Sequence, residues 1–267
     1  MSTSDVASGG GGSGPRVIVT PFELRDYVLL LRWLIVAALI VVAYFAIVQL
    51  GLVSKMIEID RTHLSILVTF VFFGTSIHCG IATVGVSREL NAARRVQRVI
   101  AQNPTGFKVV DDKVVSGDGA ELMPCLLTDH IRNVIIKSRT VSNEPLDHTL
   151  LMHALADGLR GRLQVGVFIV DALPKVGLIG TLIGFIFMLV PISAIKTFDP
   201  LTMKAAMSDM ASGMSTALSV TLTALIASLV LKLQYYFLET GTIELHNIIA
   251  ETTDLYVVPA LARERAA

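Results

Sequence analysis

Two stretches of this chain carry no ionisable side chain, Val176 to Ile195 and Met210 to Leu231. At about 1.5 Å per residue, each can cross a hydrocarbon core of roughly 30 Å as a helix. The stretches are also unusual in what they hold besides apolar residues. The first carries Gly177, Gly180, Thr181 and Gly184, and the second Ser212, Gly213, Ser215, Thr216, Ser219, Thr221, Thr223 and Ser228. A helix facing lipid needs neither glycines nor hydroxyls at this density. A helix packed closely on another helix, or lining a polar path, does.

Spacing places the small residues on faces. Gly177, Thr181, Gly184 and Met188 recur at steps of four, three and four, as do Gly213, Ala217, Thr221, Ala224 and Ser228 on the second helix. Each helix thus offers a small-residue stripe with one threonine near mid-span. One reading is pure packing, each threonine hydroxyl bonded back to a carbonyl of its own helix. The other is an ion path lined by Thr181 and Thr221, with Gly177, Gly184, Gly213, Ala217 and Ala224 packing on its side. Pro174 lies at the mouth of the third span with Asp171 and Lys175, where the lysine can offset the carboxylate. Pro191 removes the hydrogen bond to the carbonyl of Phe187 and is expected to bend the helix near its outer end.

Two further apolar runs lie upstream, Leu34 to Val53 and Leu64 to Ser87. They are rich in Val, Ile, Leu and Phe, as outer helices in lipid should be. The second holds one titratable group, His78, either a functional intramembrane residue or a neutral ring bonded to a carbonyl. Residues Met1 to Pro15 are rich in serine and glycine and read as a flexible tail without a basic signal-peptide start. Arg88, Arg94, Arg95 and Arg98 follow the second run, and Arg160 and Arg162 precede the third. The opposite links carry Lys55, Arg61, Lys196 and Lys204. This asymmetry predicts cytoplasmic termini and a cytoplasmic loop between spans two and three. The arginine cluster, with Glu89, is either this topological signal or a contact surface.

The expected fold is therefore an all-α integral membrane protein with four transmembrane helices and a helical cytoplasmic region between spans 2 and 3. Its parts are a tail and lead-in over 1–32, outer spans over 33–87, the cytoplasmic region over 88–165, a core with spans three and four over 166–241, and a C-terminal segment over 242–267. Arg88 to Gln102 continues the second span, Asn103 to Gly106 ends it, and Phe107 to Gly119 suggests a short hairpin or loop. Glu121 to Val141 reads as a helix. Asn143 offers an N-cap for another running into the third span. Gly241 is expected to interrupt the last helix and Val258-Pro259 to break it.

Enzyme chemistry is not visible. There is no P-loop, no GxSxG and no HExxH. His148 and His153 are five apart, off a common helical face, and Asp111-Asp112 reads as a solvated turn. Cys79 and Cys125 make neither a disulfide framework nor a zinc site, so no metal or cofactor is expected. With 22 basic and 22 acidic residues and 53% hydrophobic content, the chain has no bulk charge for nucleic acid.

The run Ala172-Leu-Pro-Lys-Val-Gly-Leu-Ile-Gly-Thr-Leu-Ile-Gly184 resembles the AxPxxGLLGTxxG signature of the MotA/TolQ/ExbB proton-channel family. Gly213-Met-Ser-Thr-Ala-Leu-Ser-Val-Thr-Leu-Thr-Ala-Leu225 resembles that family's GxxxALxxTxxGL pattern, in the same order. The likeness covers roughly Leu150 to Gly241. It implies a homo-oligomer (a pentamer) in a bacterial inner membrane, around a single-span partner that carries a membrane aspartate. Neither charge-free run holds a carboxylate, and threonine cannot store a proton, so the titrating acid must come from another chain. An ionised Asp at the bilayer centre costs about 2.5–3.5 kcal/mol, comparable to the roughly 2.3 kcal/mol released per proton crossing 100 mV. The four-span layout is closer to a flagellar stator than to the three-span type. No proline closes the fourth span at its cytoplasmic end and no IPAxxxYN-like tail follows, so the driven system stays open. A passive scaffold and a self-contained secondary transporter are the alternatives; the latter needs an intramembrane charge and an internal repeat.

Overall fold

The computed structural model describes residues 28–51, 54, 63–102, 107–110, 113–116, 121–140, 148–193 and 199–266. Its elements are α1 (Val28–Gln49), α2 (Leu64–Gln102), β1 (Phe107–Val110), β2 (Lys113–Ser116), α3 (Leu126–Thr140), α4 (Thr149–Ser193), α5 (Pro200–Thr252), a π-helical turn (Thr253–Val257) and α6 (Val258–Ala266). Four helices are long and apolar enough to cross a membrane. The expected helix end at Asn103–Gly106, the N-cap at Asn143, the Asp111-Asp112 turn, and Lys55, Arg61 and Lys196 lie outside the described residues.

The described chain forms two compact units, one from Leu24–Arg88 and Leu155–Glu244, the other from Glu89–Ala154 and Leu245–Ala267. In the first, α4 and α5 lie antiparallel with their backbones nearly touching. A Cβ on Gly184 would sit 2.5 Å from the Ala217 Cβ, and one on Gly213 only 2.7 Å from the Met188 nitrogen. A Cβ on Gly177 would lie 2.8 Å from the Ala224 Cβ. These glycines exist because an interhelical approach this close leaves no volume for a side chain. The core adds Val68 and Cys79 of α2, Leu163, Val170 and Leu173 of α4, and Ala227, Leu231, Tyr235 and Leu238 of α5. No described side chain of α1 is buried and most are exposed, as in an outermost span against lipid. Its Trp33 covers Gly80 of α2 and its Leu29 covers Gly241 of α5.

α2 runs parallel to α5. Leu64 lies beside Gly180 and Val220, and fourteen residues on, His78 meets Tyr235. The Leu64 end of α2 thus stands at the level of Val220. From there α5 extends back to Pro200 and α4 on to Ser193, about 15 Å or more beyond.

The other unit begins with the hairpin, Phe107 facing Ser116 and Val110 facing Lys113. Val115 bridges to Glu121, the Leu122 N–H donates to the Val114 carbonyl at 3.0 Å, and Lys113 pairs with Glu121 at 2.6 Å. The helix expected from Glu121 therefore starts only at Leu126. Glu121 is held in this bridge, and Pro124 disfavours helical geometry in Met123. The Glu89 carboxylate accepts the Leu126 N–H at 3.0 Å, capping α3 where its dipole favours an anion. Glu89 is thereby a structural cap rather than a free member of the arginine cluster. Leu127, Ile131, Val134 and Ile135 form the buried face of α3.

Two expected breaks fall differently. Gly241 does not interrupt α5; it is buried beneath Leu29, and α5 continues to Thr252. At Val258-Pro259 the chain stays helical but first widens into the π-turn. A wider turn eases the clash between a proline ring and the carbonyl four residues before it, so Pro259 is absorbed without ending the helix.

Candidate ion-conducting site

Matched contacts fix the depth of the two threonines. Thr181 lies between Gly177 and Gly184 as Thr221 lies between Ala217 and Ala224, and these neighbours meet pairwise across the helices. Thr181 and Thr221 therefore stand at one level, both half-buried. The Thr181 hydroxyl donates to the Leu178 carbonyl at 2.6 Å. The Thr221 hydroxyl is shared between the carbonyls of Ala217 on its own helix and Gly177 on α4, both at 3.1 Å. Each hydroxyl proton is thus engaged, and what remains is oxygen lone pairs. Such a layer can accept a hydrogen bond from a protonated carboxyl or coordinate a cation. To donate to a carboxylate it must first release a backbone carbonyl.

Gly177, Gly184, Gly213, Ala217 and Ala224 meet one another in the α4–α5 contact rather than presenting an open face. Pro174 sits inside α4 and leaves the Val170 carbonyl without its usual donor. The Ser228 hydroxyl of α5 supplies it, donating to that carbonyl at 2.9 Å. Ser228 was legible as a stripe residue, but its partner was not, because the pair is separated by 58 positions. Pro191 lies two residues before α4 ends at Ser193, so its missing donor affects only the last turns.

Below the threonines the stripes become charged. Steps of three, four and three lead from Thr181 through Leu178 and Pro174 to Asp171. Steps of four, three and four lead from Thr221 through Leu225 and Ser228 to Lys232. The α4–α5 register puts Asp171 and Lys232 at nearly one level, about 15 Å from the threonines, and both are exposed. Asp171 and Lys175 are both exposed, one turn apart on α4, and do not close into an ion pair.

His78 is the residue that the motifs did not absorb. Its Nδ1 lies 3.0 Å from the Tyr235 hydroxyl, not from a carbonyl. Gly166 makes room for this pair, since a Cβ there would collide with the tyrosine ring. Of the arginines, Arg88 is exposed while Arg94, Arg95 and Arg98 are half-buried, less of an open surface than expected. Among the described residues no group of three or more His, Cys, Asp or Glu is placed to hold a metal.

A family model described as the MotA/TolQ/ExbB proton channel family matches residues 148–250, which span α4 and nearly all of α5. No curated protein matches the chain.

Proposed function

Since residues 148–250 match the model of the MotA/TolQ/ExbB proton channel family and four helices are long and apolar enough to cross a membrane, we propose that the chain is the ring-forming subunit of an ion-driven motor. In this reading several copies surround a single-span partner whose membrane aspartate binds and releases the ion, and flow between the two drives rotation or other mechanical work. The assembly sits in a bacterial inner membrane with both termini cytoplasmic. The chain catalyses no covalent chemistry.

The observation that carries the reading is the Thr181–Thr221 layer. It lies in two runs without a carboxylate and offers acceptor oxygens only. A protonated partner acid finds acceptors there; an ionised one finds a donor only when a threonine releases its carbonyl. The layer thus distinguishes the two protonation states by the hydrogen bonds they can make. Asp171 and Lys232 then line the cytoplasmic mouth. Ion flux through membrane vesicles containing the chain and its partner, measured with and without sodium, tests this. Proton flux that requires both chains is expected, and flux from neither condition would sink the reading.

One observation favours a second reading, a passive scaffold: both hydroxyl protons go to backbone carbonyls and the small-residue stripe is filled by packing. That reading expects Thr181→Val and Thr221→Val to leave activity intact.

A further inference from the structure

Outside the spans, three elements bring histidines together. His130 projects from α3, His148 directly precedes α4, and His246 lies on the last turns of α5. The π-turn adds Asp254, whose Oδ1 lies 2.6 Å from His148 Nε2. His130 is 4% exposed. Three imidazole nitrogens are buried without a partner: His130 Nε2, His148 Nδ1 and His246 Nδ1. Among the described residues, the charged and titratable groups close enough to act on His130 are His148, His246 and Asp254, each from a different element.

We infer that His130, His148, His246 and Asp254 form a proton-binding site outside the membrane, whose filling loosens α3 from the end of α5. With one proton, the cluster holds one imidazolium against one carboxylate, and the His148–Asp254 pair stays in place. Each further proton sets like charges beside each other, and among the described residues Asp254 is the one carboxylate acting on His130 to balance them. The unpartnered nitrogens are where those protons would go, and a buried imidazolium must find water or a carboxylate. Opening the site provides the water. Burial first, and then the neighbouring histidines, hold His130 down to about 4; it therefore resists protonation while closed and accepts it once open. The π-turn strengthens the case, since it places Asp254 against His148, and such widened turns recur at functional positions.

The site stands independently of the motor reading. Its use does not: if the chain conducts protons inward, a local fall in pH would loosen the unit and signal back on conduction.

Hydrogen exchange on the full chain in lipid nanodiscs tests it, with exchange times corrected for intrinsic pH dependence. Between pH 7.5 and 5.5 the α3 amides, Leu126–Thr140, are expected to lose protection at least tenfold. An uptake of more than one proton makes the loss steeper than tenfold per pH unit once the site titrates. Amides of residues 64–87 serve as the internal control and should hold. A His148→Gln/His246→Gln variant should keep α3 protected at pH 5.5. The inference is overturned if wild-type protection is unchanged, if the control region opens equally, or if a folded variant loses protection as the wild type does. Should the variant not fold, the wild-type slope and the control decide. Neither needs ion flux, so a failed conduction assay leaves this result standing.

Discussion

Ser228 makes good a defect that Pro174 creates. Without the serine hydroxyl, the Val170 carbonyl would be unsatisfied in an apolar setting, a loss of about 1–3 kcal/mol. Ser228→Ala should therefore destabilise the chain by that amount in denaturant unfolding. In a Pro174→Ala background, where an N–H returns, the same change should cost much less. A double-mutant cycle with no coupling would refute the pairing. Thr221 differs, because the carbonyls it touches also have helical donors. Thr221→Val should change stability by less than about 1 kcal/mol yet lower ion flux tenfold or more, with Thr221→Ser largely restoring it. Equal flux in the valine variant would favour the scaffold. His130 gives the pH dependence. Its folded-state pKa, about 4, lies below the ordinary imidazole value of 6.5. The neutral ring therefore contributes stability that is present above pH 6.5 and lost as pH falls from 6.5 through 4. The full loss is about 3 kcal/mol. Unfolding measured across that window should be steeper in the wild type than in His130→Gln.

Among the elements, the α4–α5 pair is the most exacting. Ala at Gly184 or Gly213 would press on backbone atoms of the facing helix, which cannot rotate away. Each substitution should cost more than 2 kcal/mol or so, in the range of overpacked cores. Ala at Gly74 or Gly85 meets nothing within 4 Å and should be neutral or stabilising by about 0.5–1 kcal/mol through helix propensity. Thermal unfolding in one detergent would rank the four variants, and equal losses would deny the close approach. The stripes behind this contrast were legible in the sequence, as were the four spans, the hairpin and the extension of α2 past Arg88. What the stripes touch was not, since spacing fixes a face but not its neighbour. Gly241 was misjudged for the same reason: its cost to the helix is local, but Leu29 covers it from 212 positions away. The histidine cluster escaped because His148 was weighed against its neighbour His153, while its partners lie on α3, α5 and the π-turn.

At the scale of the spanning unit, the apolar lengths of its helices do not coincide. α1 and the first part of α2 are apolar at the depth where α4 and α5 carry Asp171, Lys175 and Lys232 on exposed positions. A charge facing hydrocarbon carries a penalty that reaches about 2.5–3.5 kcal/mol at the bilayer centre on insertion scales. That face of α4 and α5 must therefore meet water or polar groups while α1 and α2 meet lipid. Cysteines at Asp171 and Lys232 should react with a hydrophilic maleimide at least tenfold faster than cysteines at Phe70 or Ile77. Equal rates would place the charges in lipid and remove the mouth. The meshing of α4 with α5 has a consequence for how such a chain can change over generations. Every glycine contact between them obeys one register, from Gly177 with Ala224 to Met188 with Gly213. Losing or gaining one codon inside either helix would turn everything beyond it by about 100° and separate the glycines from their counterparts together. Between Gly177 and Ala224, viable length variants should therefore be confined to the segment linking the two helices.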